Sequence, residues 1–170
     1  CRLLLVDGHA YAYRAYYAIR TLSSPEGRPT NAIYGFIKMF SRIQSHLNPT
    51  HQYVVWDGGL DAKRMAQLPE YKAQRPPMPE SLAEQIEAIA SYLQASQIPS
   101  LVQEGVEADD WIASMAVRAV SQGAHVVIAS ADKDFFQLVS DQINLLNPND
   151  KSETPWKPAQ VVQKTGVQPE

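Results

Sequence analysis

The sequence is poor in the features that mark secreted, membrane-spanning and nucleotide-cofactor proteins. Its 170 residues include one cysteine, which cannot form an internal disulfide, and this favours a reducing, cytoplasmic compartment. No apolar run approaches the ~20 residues that a membrane-spanning helix needs. The sequence also lacks a Gly-x-Ser-x-Gly elbow, a Walker loop and a Gly-x-Gly-x-x-Gly motif. It therefore gives no support to serine-nucleophile chemistry or nucleotide-cofactor binding.

The four histidines do not predict a zinc site, which would need clustered Cys and His ligands. His46, His51 and His125 are scattered beside predicted strands and helices, where we interpret them as surface or packing residues. His9 comes two residues after Asp7 and is placed to approach the acidic edge described below.

Apolar periodicity predicts an α/β domain. Strand-like runs cover residues 2–6, 52–56, 125–129 and 143–146, with a weaker candidate at 100–103. Helical spacing covers residues 30–47, 81–95 and 108–121. Ser81 and Glu84 form a predicted capping box at the second of these helices. Because strands alternate with helices, we expect a mainly parallel sheet.

Seven acidic residues fall at the predicted ends of strands or starts of helices. The carboxyl ends of parallel strands meet along one edge of a sheet, where open α/β sheets bind their ligands, so we expect these acids to converge there. The seven are Asp7, Asp57, Glu107, Asp109, Asp110, Asp132 and Asp134. Each group alone also fits a structural role, because Asp-Gly pairs form turns and acids at a helix start act as caps.

Taken together, the acids favour a cation site. Clustered carboxylates repel one another unless cations lie between them. Oxygen ligands favour Mg²⁺ or Mn²⁺ over zinc, and a pair of such ions can activate water and stabilise the leaving oxygen of a phosphodiester. The formal charge of −3 becomes positive once the seven acids are set aside, which is compatible with phosphate contacts.

Residues 58–80 form a basic, proline-rich stretch between the second strand and the next helix. The stretch has no continuous apolar periodicity and contains four prolines and four basic residues, Lys63, Arg64, Lys72 and Arg75. Composition alone fits a solvated surface loop, and it also fits a basic excursion from the domain.

Several short strings along the chain carry a family resemblance. They are Leu4-Leu5-Val6-Asp7-Gly8, Tyr13-Arg14, Tyr34-Gly35-Phe36, Val54-Val55-Trp56-Asp57, Tyr71-Lys72 with Arg75, Glu107-Ala108-Asp109-Asp110 and Ala131-Asp132-Lys133-Asp134. In order and spacing they resemble the 5′-to-3′ exonuclease domain of bacterial DNA polymerase I and its flap-endonuclease relatives. The last two strings together are the most specific part. The resemblance implies a three-layer α/β nuclease domain of the PIN-like or resolvase-like kind, with a mainly parallel central sheet and helices on both faces.

The resemblance also implies a role for each matching residue. The first metal would be held by Asp7, Asp57, Glu107, Asp109 and Asp110, with Asp109 also counted as catalytic. Asp132 and Asp134 would line that site and extend toward a second metal. Lys72 and Arg75 would stabilise the scissile phosphate from the base of a helical arch at about residues 58–80, and Arg14 would contact a nearby phosphate. Lys63 and Arg64 would add to DNA binding.

Tyrosines form a further group. Tyr71 is placed either to stack on a terminal base or simply to pack against the protein. Tyr11, Tyr13, Tyr16 and Tyr17 are predicted to pack along a helix face rather than to form a base-stacking array.

The predicted function is a structure-selective 5′-to-3′ exonuclease and flap endonuclease in DNA replication and repair. It would depend on two or more Mg²⁺ ions, with Mn²⁺ as a substitute. Its partners would be DNA with 5′ flaps, nicks or branches, RNA-primed ends and a DNA polymerase domain, with no membrane, in the bacterial cytoplasm at the nucleoid. A non-catalytic nucleic-acid-binding module and a related PIN-type ribonuclease stay open as alternatives.

Family members continue past the position of Glu170. They carry a Gly-Asp-x-x-Asp-Asn segment and a helix–three-turn–helix element that grips duplex DNA, and residues 1–170 end before both. Either residues 1–170 are part of a larger protein or the domain is truncated. We expect the first, with residues 1–170 as the N-terminal catalytic domain.

Overall fold

The computed structural model describes residues 1–59 and 76–169. In chain order the described elements are β1 (Arg2–Asp7), α1 (Gly8–Ala18), α2 (Asn31–Leu47), β2 (His51–Val55), α3 (Glu80–Ala95), β3 (Ser100–Leu101), α4 (Ala108–Ser121), β4 (His125–Ala129), a 3₁₀ helix (Lys133–Leu138), β5 (Ile143–Leu146) and α5 (Pro158–Thr165). No helix in this described part of the chain is long and apolar enough to cross a membrane.

The five strands form one sheet in the order β3-β2-β1-β4-β5, and every neighbouring pair is parallel. β1 is the central strand, with Val6 opposite Val54 of β2 and opposite Ala129 of β4. The carboxyl ends of β1, β2 and β4 therefore lie side by side along one edge. This arrangement confirms the predicted sheet and brings the residues that follow these strands together.

Helices cover both faces of the sheet, as the alternation along β1 shows. Leu4 and Val6 pack with α1, α2 and α3 on one face, whereas Leu3 and Leu5 pack with α4 and α5 on the other. All four side chains are buried. Burial of such a residue contributes about 1.5–3 kcal/mol relative to exposure, so β1 ties the two cores together. The predicted three-layer α/β fold is confirmed.

The bounds of most elements agree closely with the sequence patterns. β4, β5 and α4 lie at the predicted residues, β2 lies one residue earlier than predicted, and β3 is limited to two residues. The capping box predicted at Ser81 and Glu84 is wrong. The helix begins one residue earlier than predicted, with Pro79 at the N-cap position, and the Ser81 hydroxyl pairs with the Tyr16 hydroxyl at 2.8 Å.

A buried polar network joins the three helices on the first face. The side-chain oxygen of Gln85 accepts hydrogen bonds from the backbone N–H groups of Ala32 and Ile33, at 2.7 and 3.2 Å. The Gln85 amide donates to Asn31 Oδ1, and the Asn31 amide donates to the backbone carbonyls of Tyr16 and Ile19. The network thus satisfies the N-terminus of α2 and fixes the end of α1 against α2 and α3.

Candidate active site

An open cleft of about 590 Å³ lies at the carboxyl edge of the sheet. Its walls come from the ends of β1, β2 and β4 and from the start of α4, the positions where the sequence predicted converging acids. Five of the seven predicted acids line it: Asp7, Asp57, Glu107, Asp109 and Asp132. The topology therefore brings together carboxylates that are far apart in the sequence.

Both carboxylate oxygens of Asp7 are held by hydrogen bonds. It ends β1 and caps α1, because its Oδ1 accepts a hydrogen bond from the Ala10 N–H at 3.1 Å. Its Oδ2 accepts from the hydroxyl of the buried Ser130 at 2.8 Å. Burial raises the pKa of Asp7, the two hydrogen bonds partly oppose that rise, and the charge of Asp57 adds to it. The carboxylate is therefore held in place at an electrostatic cost that a cation would relieve.

Ser130 links two of the acids. Besides donating to Asp7, its hydroxyl accepts a hydrogen bond from the Asp132 N–H at 3.1 Å. Asp132 in turn caps the 3₁₀ helix by accepting from the Asp134 N–H at 2.9 Å. Ser130 directly follows β4, so the rule that selected the acids at strand ends would also have found this serine.

Asp57 is exposed, but the backbone beside it is tightly held. The Gly58 N–H donates to the Val106 carbonyl and the Gly105 N–H donates to the Gly58 carbonyl, both at 3.0 Å. A Cβ on Gly58 would lie 1.6 Å from the Gln103 carbonyl oxygen, so only glycine fits this crossing. The segment at residues 57–59 and the segment at residues 103–106 are thereby held together, and the second of them leads directly into Glu107.

His9 lies in the wall of the cleft. The sequence predicted only that it would approach the acidic edge. Its Nδ1 accepts a hydrogen bond from the Asp57 N–H at 3.1 Å, which requires the unprotonated nitrogen there. Its ring meets the Trp56 ring edge-on at 5.4 Å. Burial lowers the pKa of His9, and the charges of Asp57 and Asp7 oppose that shift. His9 is therefore a positioning residue that joins α1 to the end of β2.

The start of α4 carries the third acidic group. Glu107 is 1% exposed and occupies the N-cap position, yet its side chain makes no capping hydrogen bond. The simple capping interpretation therefore does not account for Glu107. Asp109 lines the cleft, and its Oδ1 accepts from the Asp110 N–H at 2.8 Å.

Two predicted ligands stand apart from the described wall of the cleft. Asp110 is half-buried on α4, and the residues that line the cleft do not include it. Asp134 is exposed and borders a different surface depression, beside Phe136, Val161 and Thr165. Their roles as metal ligands stay predictions.

The donor set fits a hard divalent cation, because every acidic ligand candidate supplies carboxylate oxygen. Within residues 1–59 and 76–169, however, no three Asp, Glu, His or Cys side chains are grouped closely enough to hold an ion between them. The five acids line one cleft without forming a ready-made ligand cage. In donor chemistry alone, the site suits a hard divalent cation of the Mg²⁺ or Mn²⁺ type.

The predicted DNA-contacting residues divide between the described and undescribed parts of the chain. Arg14 lies exposed on α1, one residue after Tyr13, which lines the cleft. Met78, at the described end of the basic stretch, also lines the cleft. Lys63, Arg64, Tyr71, Lys72 and Arg75 lie outside the described residues.

Fold and site together define a class of protein: a three-layer α/β domain whose acids gather around one cleft at the carboxyl edge of a parallel sheet. The chain belongs to the 5′-3′ exonuclease N-terminal, resolvase-like domain family, whose model matches residues 2–166. This result confirms the family resemblance noted in the sequence.

Bacterial relatives align along nearly the whole chain. A 5′-3′ exonuclease of Aquifex aeolicus is 40% identical over 169 residues, covering 99% of this chain and 57% of the relative. DNA polymerase I of Bacillus caldotenax is 36% identical over 171 residues, covering 99% of this chain and 20% of the polymerase. The chain thus spans little more than half of the first relative and about a fifth of the second.

Solved structures share the fold. A bacteriophage T5 protein co-crystallised with metal ions superposes with a TM-score of 0.75 at 20% identity, covering 98% of this chain and 62% of that one. The catalytic core of Rad2 in complex with DNA gives a TM-score of 0.60 at 18% identity, covering 98% of this chain and 49% of that one. At these identities the likeness shows the fold alone, and it agrees with the predicted PIN-like or resolvase-like architecture.

Proposed function

We propose that this chain supplies the catalytic site of a structure-selective 5′-to-3′ exonuclease and flap endonuclease acting on DNA in replication and repair. The observation that carries the proposal is the gathering of five carboxylates, from four separate parts of the chain, around one open cleft. Structural roles explain single acids but not their shared orientation. Membership of the 5′-3′ exonuclease family supports the same reaction.

Divalent ions would supply the water activation and the charge neutralisation that phosphodiester hydrolysis needs, with Mg²⁺ as the expected ion and Mn²⁺ as its substitute. Asp7 and Glu107 would hold an ion from the inner wall, where both side chains are screened from solvent. Asp109 would act with them from the first turn of α4, and Asp57 and Asp132 would close the outer side. Asp110 and Asp134 would add ligands toward a second ion.

This chain's own polar contacts prepare the site. Ser130 and the Ala10 N–H orient both oxygens of Asp7, so the carboxylate is fixed before an ion binds. His9 holds the backbone of Asp57 at the end of β2. Such preorganisation lowers the cost of bringing like charges together around the ion.

Basic residues would bind the substrate strand. Arg14 would contact a phosphate near the cut, and Lys72 and Arg75 would stabilise charge on the scissile phosphate. Lys63 and Arg64 would add backbone contacts, and Tyr71 would stack on a terminal base.

The substrates would be 5′ flaps, nicked or branched duplexes and RNA-primed ends, in the bacterial cytoplasm. Because DNA polymerase I proteins are among the relatives, a DNA polymerase domain is the proposed partner. The basic stretch at 58–80 would then form the arch through which the 5′ end passes.

Cleavage of a 5′-labelled flapped duplex tests the proposal, with Mg²⁺, Mn²⁺ or EDTA, for the unaltered chain, Asp109→Ala and Asp141→Asn. Asp141 is an exposed acid near the amino end of β5, at the opposite edge of the sheet, and serves as the matched control. We expect metal-dependent products that Asp109→Ala loses and Asp141→Asn keeps. Metal-dependent cutting that survives Asp109→Ala would contradict the site assignment.

Two further substrates separate the alternatives. Preferential cutting of single-stranded RNA would favour a PIN-type ribonuclease. DNA binding without cutting, also in a longer version that includes the helix–three-turn–helix region, would favour a non-catalytic binding module.

A further inference from the structure

Two tyrosines on α1 form a continuous aromatic surface, of which one member lines the acidic cleft. Tyr13 lines the cleft, and Tyr17 follows one helical turn later. Their rings stack with centroids 6.3 Å apart and planes 20° apart. The i, i+4 spacing places both rings on the same side of the helix.

Tyr17 does not pack in the core: it contacts the Tyr13 and Tyr16 rings along the helix, as predicted, but stays largely exposed to water. The residue is 65% exposed, whereas Tyr11 on the same helix is 2% exposed. An isolated exposed tyrosine needs no explanation, but this one is continuous with a functional cleft and has a fixed orientation.

Neighbouring side chains set that orientation. The Tyr16 ring meets the Tyr17 ring edge-on, with centroids 5.1 Å apart and planes 87° apart. The Tyr16 hydroxyl is itself hydrogen-bonded to Ser81 Oγ at 2.8 Å, so Tyr16 is anchored to α3. Tyr17 therefore contacts one stacked ring and one edge-on ring, while most of its surface stays exposed to water.

We propose that Tyr17 is a stacking platform for an unpaired nucleobase of the substrate, positioned just outside the cleft and backed by Tyr13. The inference rests on the proposed nuclease function. Stacking on an aromatic side chain tolerates every base, as a structure-selective enzyme requires. The exposed Arg14, between the two tyrosines in sequence, supplies a positive charge for the adjoining phosphate.

The geometry selects an unpaired base over a paired one. A base inside a duplex already has both faces covered by its neighbours, so a side-chain ring gains nothing there without unstacking it. A base at a flap or a strand end has an exposed face. Tyr17 thus favours substrates with unpaired residues at the cleft mouth, and it contributes to specificity rather than to bond cleavage.

Binding of the full chain to fluorescent DNA tests this inference, with Ca²⁺ as the divalent ion. The probe is 2-aminopurine, whose emission falls when it stacks, placed at successive unpaired positions of a flapped duplex. A fully paired nicked duplex is the comparison substrate. Tyr17→Ala removes the platform, Tyr17→Phe keeps the ring, and Tyr34→Ala removes a 51% exposed tyrosine on α2 as the matched control.

We expect Tyr17→Ala to bind the flapped duplex about tenfold more weakly and to lose quenching at one probe position, with the nicked duplex affected much less. Tyr17→Phe and Tyr34→Ala should behave like the unaltered chain. Unchanged affinity and quenching in Tyr17→Ala would overturn the inference while leaving the nuclease proposal intact. If neither the unaltered chain nor a longer version that includes the helix–three-turn–helix region bound DNA, the proposed function itself would fall. Urea unfolding of each variant checks that the fold is retained.

Discussion

Helices α1 and α4 both begin at an acid that lines the cleft, yet the two acids are held differently. Asp7 caps its helix through the Ala10 N–H and also accepts from Ser130. Glu107 occupies the equivalent N-cap position of α4 and makes no capping bond. The comparison indicates that Asp7 caps a helix as well as lining the site, whereas capping does not explain the burial of Glu107.

The residues that hold the two helices in place also differ. The α1 side is braced by the buried polar network of Asn31 and Gln85. The α4 side rests on small and apolar contacts made by Ala108, Ile112 and Ala116. The α1 side of the cleft thus combines a buried hydrogen-bond network with the apolar packing of Tyr11, Ala12 and Ala15, and the α4 side packs into the second apolar core.

Replacing the inner acids by neutral isosteres gives the largest expected effect. Asp7→Asn and Glu107→Gln should each reduce metal-dependent flap cleavage by about 100-fold or more, because a neutral amide is a poor ligand for a hard cation. Asp141→Asn, an exposed acid at the opposite edge, should cleave normally. Full activity in either inner variant would remove that acid from the site.

The unfolding free energy of Asp7→Asn weighs the capping role of Asp7 against the cost of burying its charge. Because burial raises the pKa of Asp7, the ionised carboxylate costs folding free energy at neutral pH and the protonated form does not. In EDTA, Asp7→Asn should therefore be more stable than the unaltered chain at pH 7, and the gain should vanish as the pH falls below the ordinary aspartate pKa. Urea unfolding at both pH values measures this. A loss of stability at pH 7 would show that capping outweighs the cost of burial.

Substitution of Gly58, where the backbone passes close to Gln103, should have the next largest effect, a loss of unfolding free energy. Gly58→Ala places a methyl group 1.6 Å from the Gln103 carbonyl, and backbone cannot yield cheaply, so we expect a loss of about 3 kcal/mol or more in unfolding free energy. Gly105→Ala is the control on the same crossing. Its positive φ of 73° strains alanine by about 1–2 kcal/mol, but its Cβ meets open space. Equal losses in the two variants would contradict the steric argument.

Breaking the buried polar network of Asn31 and Gln85 should reduce the unfolding free energy by a smaller amount. Gln85→Ala leaves the N–H groups of Ala32 and Ile33 buried without their acceptor, and we expect a loss of about 2–3 kcal/mol. Gln94→Ala, at an exposed position of the same helix, should change the unfolding free energy by less than about 0.5 kcal/mol. Similar values for the two would mean that packing, not hydrogen bonding, holds this side.

The smallest effect is expected on the α4 side. Among the described residues the buried indole N–H of Trp111 has no hydrogen-bond partner, so Trp111→Phe should cost less than about 1 kcal/mol. Trp156→Phe should cost more, because its indole N–H donates to Asp150 Oδ2 at 2.6 Å. Urea unfolding of both variants orders the two losses, and the reverse order would reveal an acceptor for Trp111.

Sequence patterns predicted the sheet and the acidic edge because both follow from strong, local signals. The runs at 125–129 and 143–146 are continuous and apolar, and the acids directly follow strands, so a simple topological rule placed them. The short α5 and the 3₁₀ helix lack that periodicity and escaped prediction. The capping box failed because Pro79 starts the helix one residue earlier than Ser81 could.

Other parts of the site depend on contacts between distant segments. Ser130 gains its role only when β4 lies beside β1, and His9 only when α1 meets the end of β2. The exposure of Tyr17 likewise depends on which face of α1 the sheet covers, and helical spacing alone does not decide that. Such roles are tertiary: of these three residues Ser130 had a sequence signal, its position directly after a predicted strand, and His9 had only its nearness to Asp7.

The central position of β1 has a consequence for synthesis on the ribosome. Of the five strands this one is synthesised first, yet it lies between β2 and β4, and its second neighbour is not complete until Ala129 has been made. Until then the run Leu3-Leu4-Leu5-Val6 has an open edge and an uncovered face, which is the condition that invites chaperone binding or mispairing. The strand at the centre of the finished sheet therefore has an unpaired edge until synthesis has passed β4.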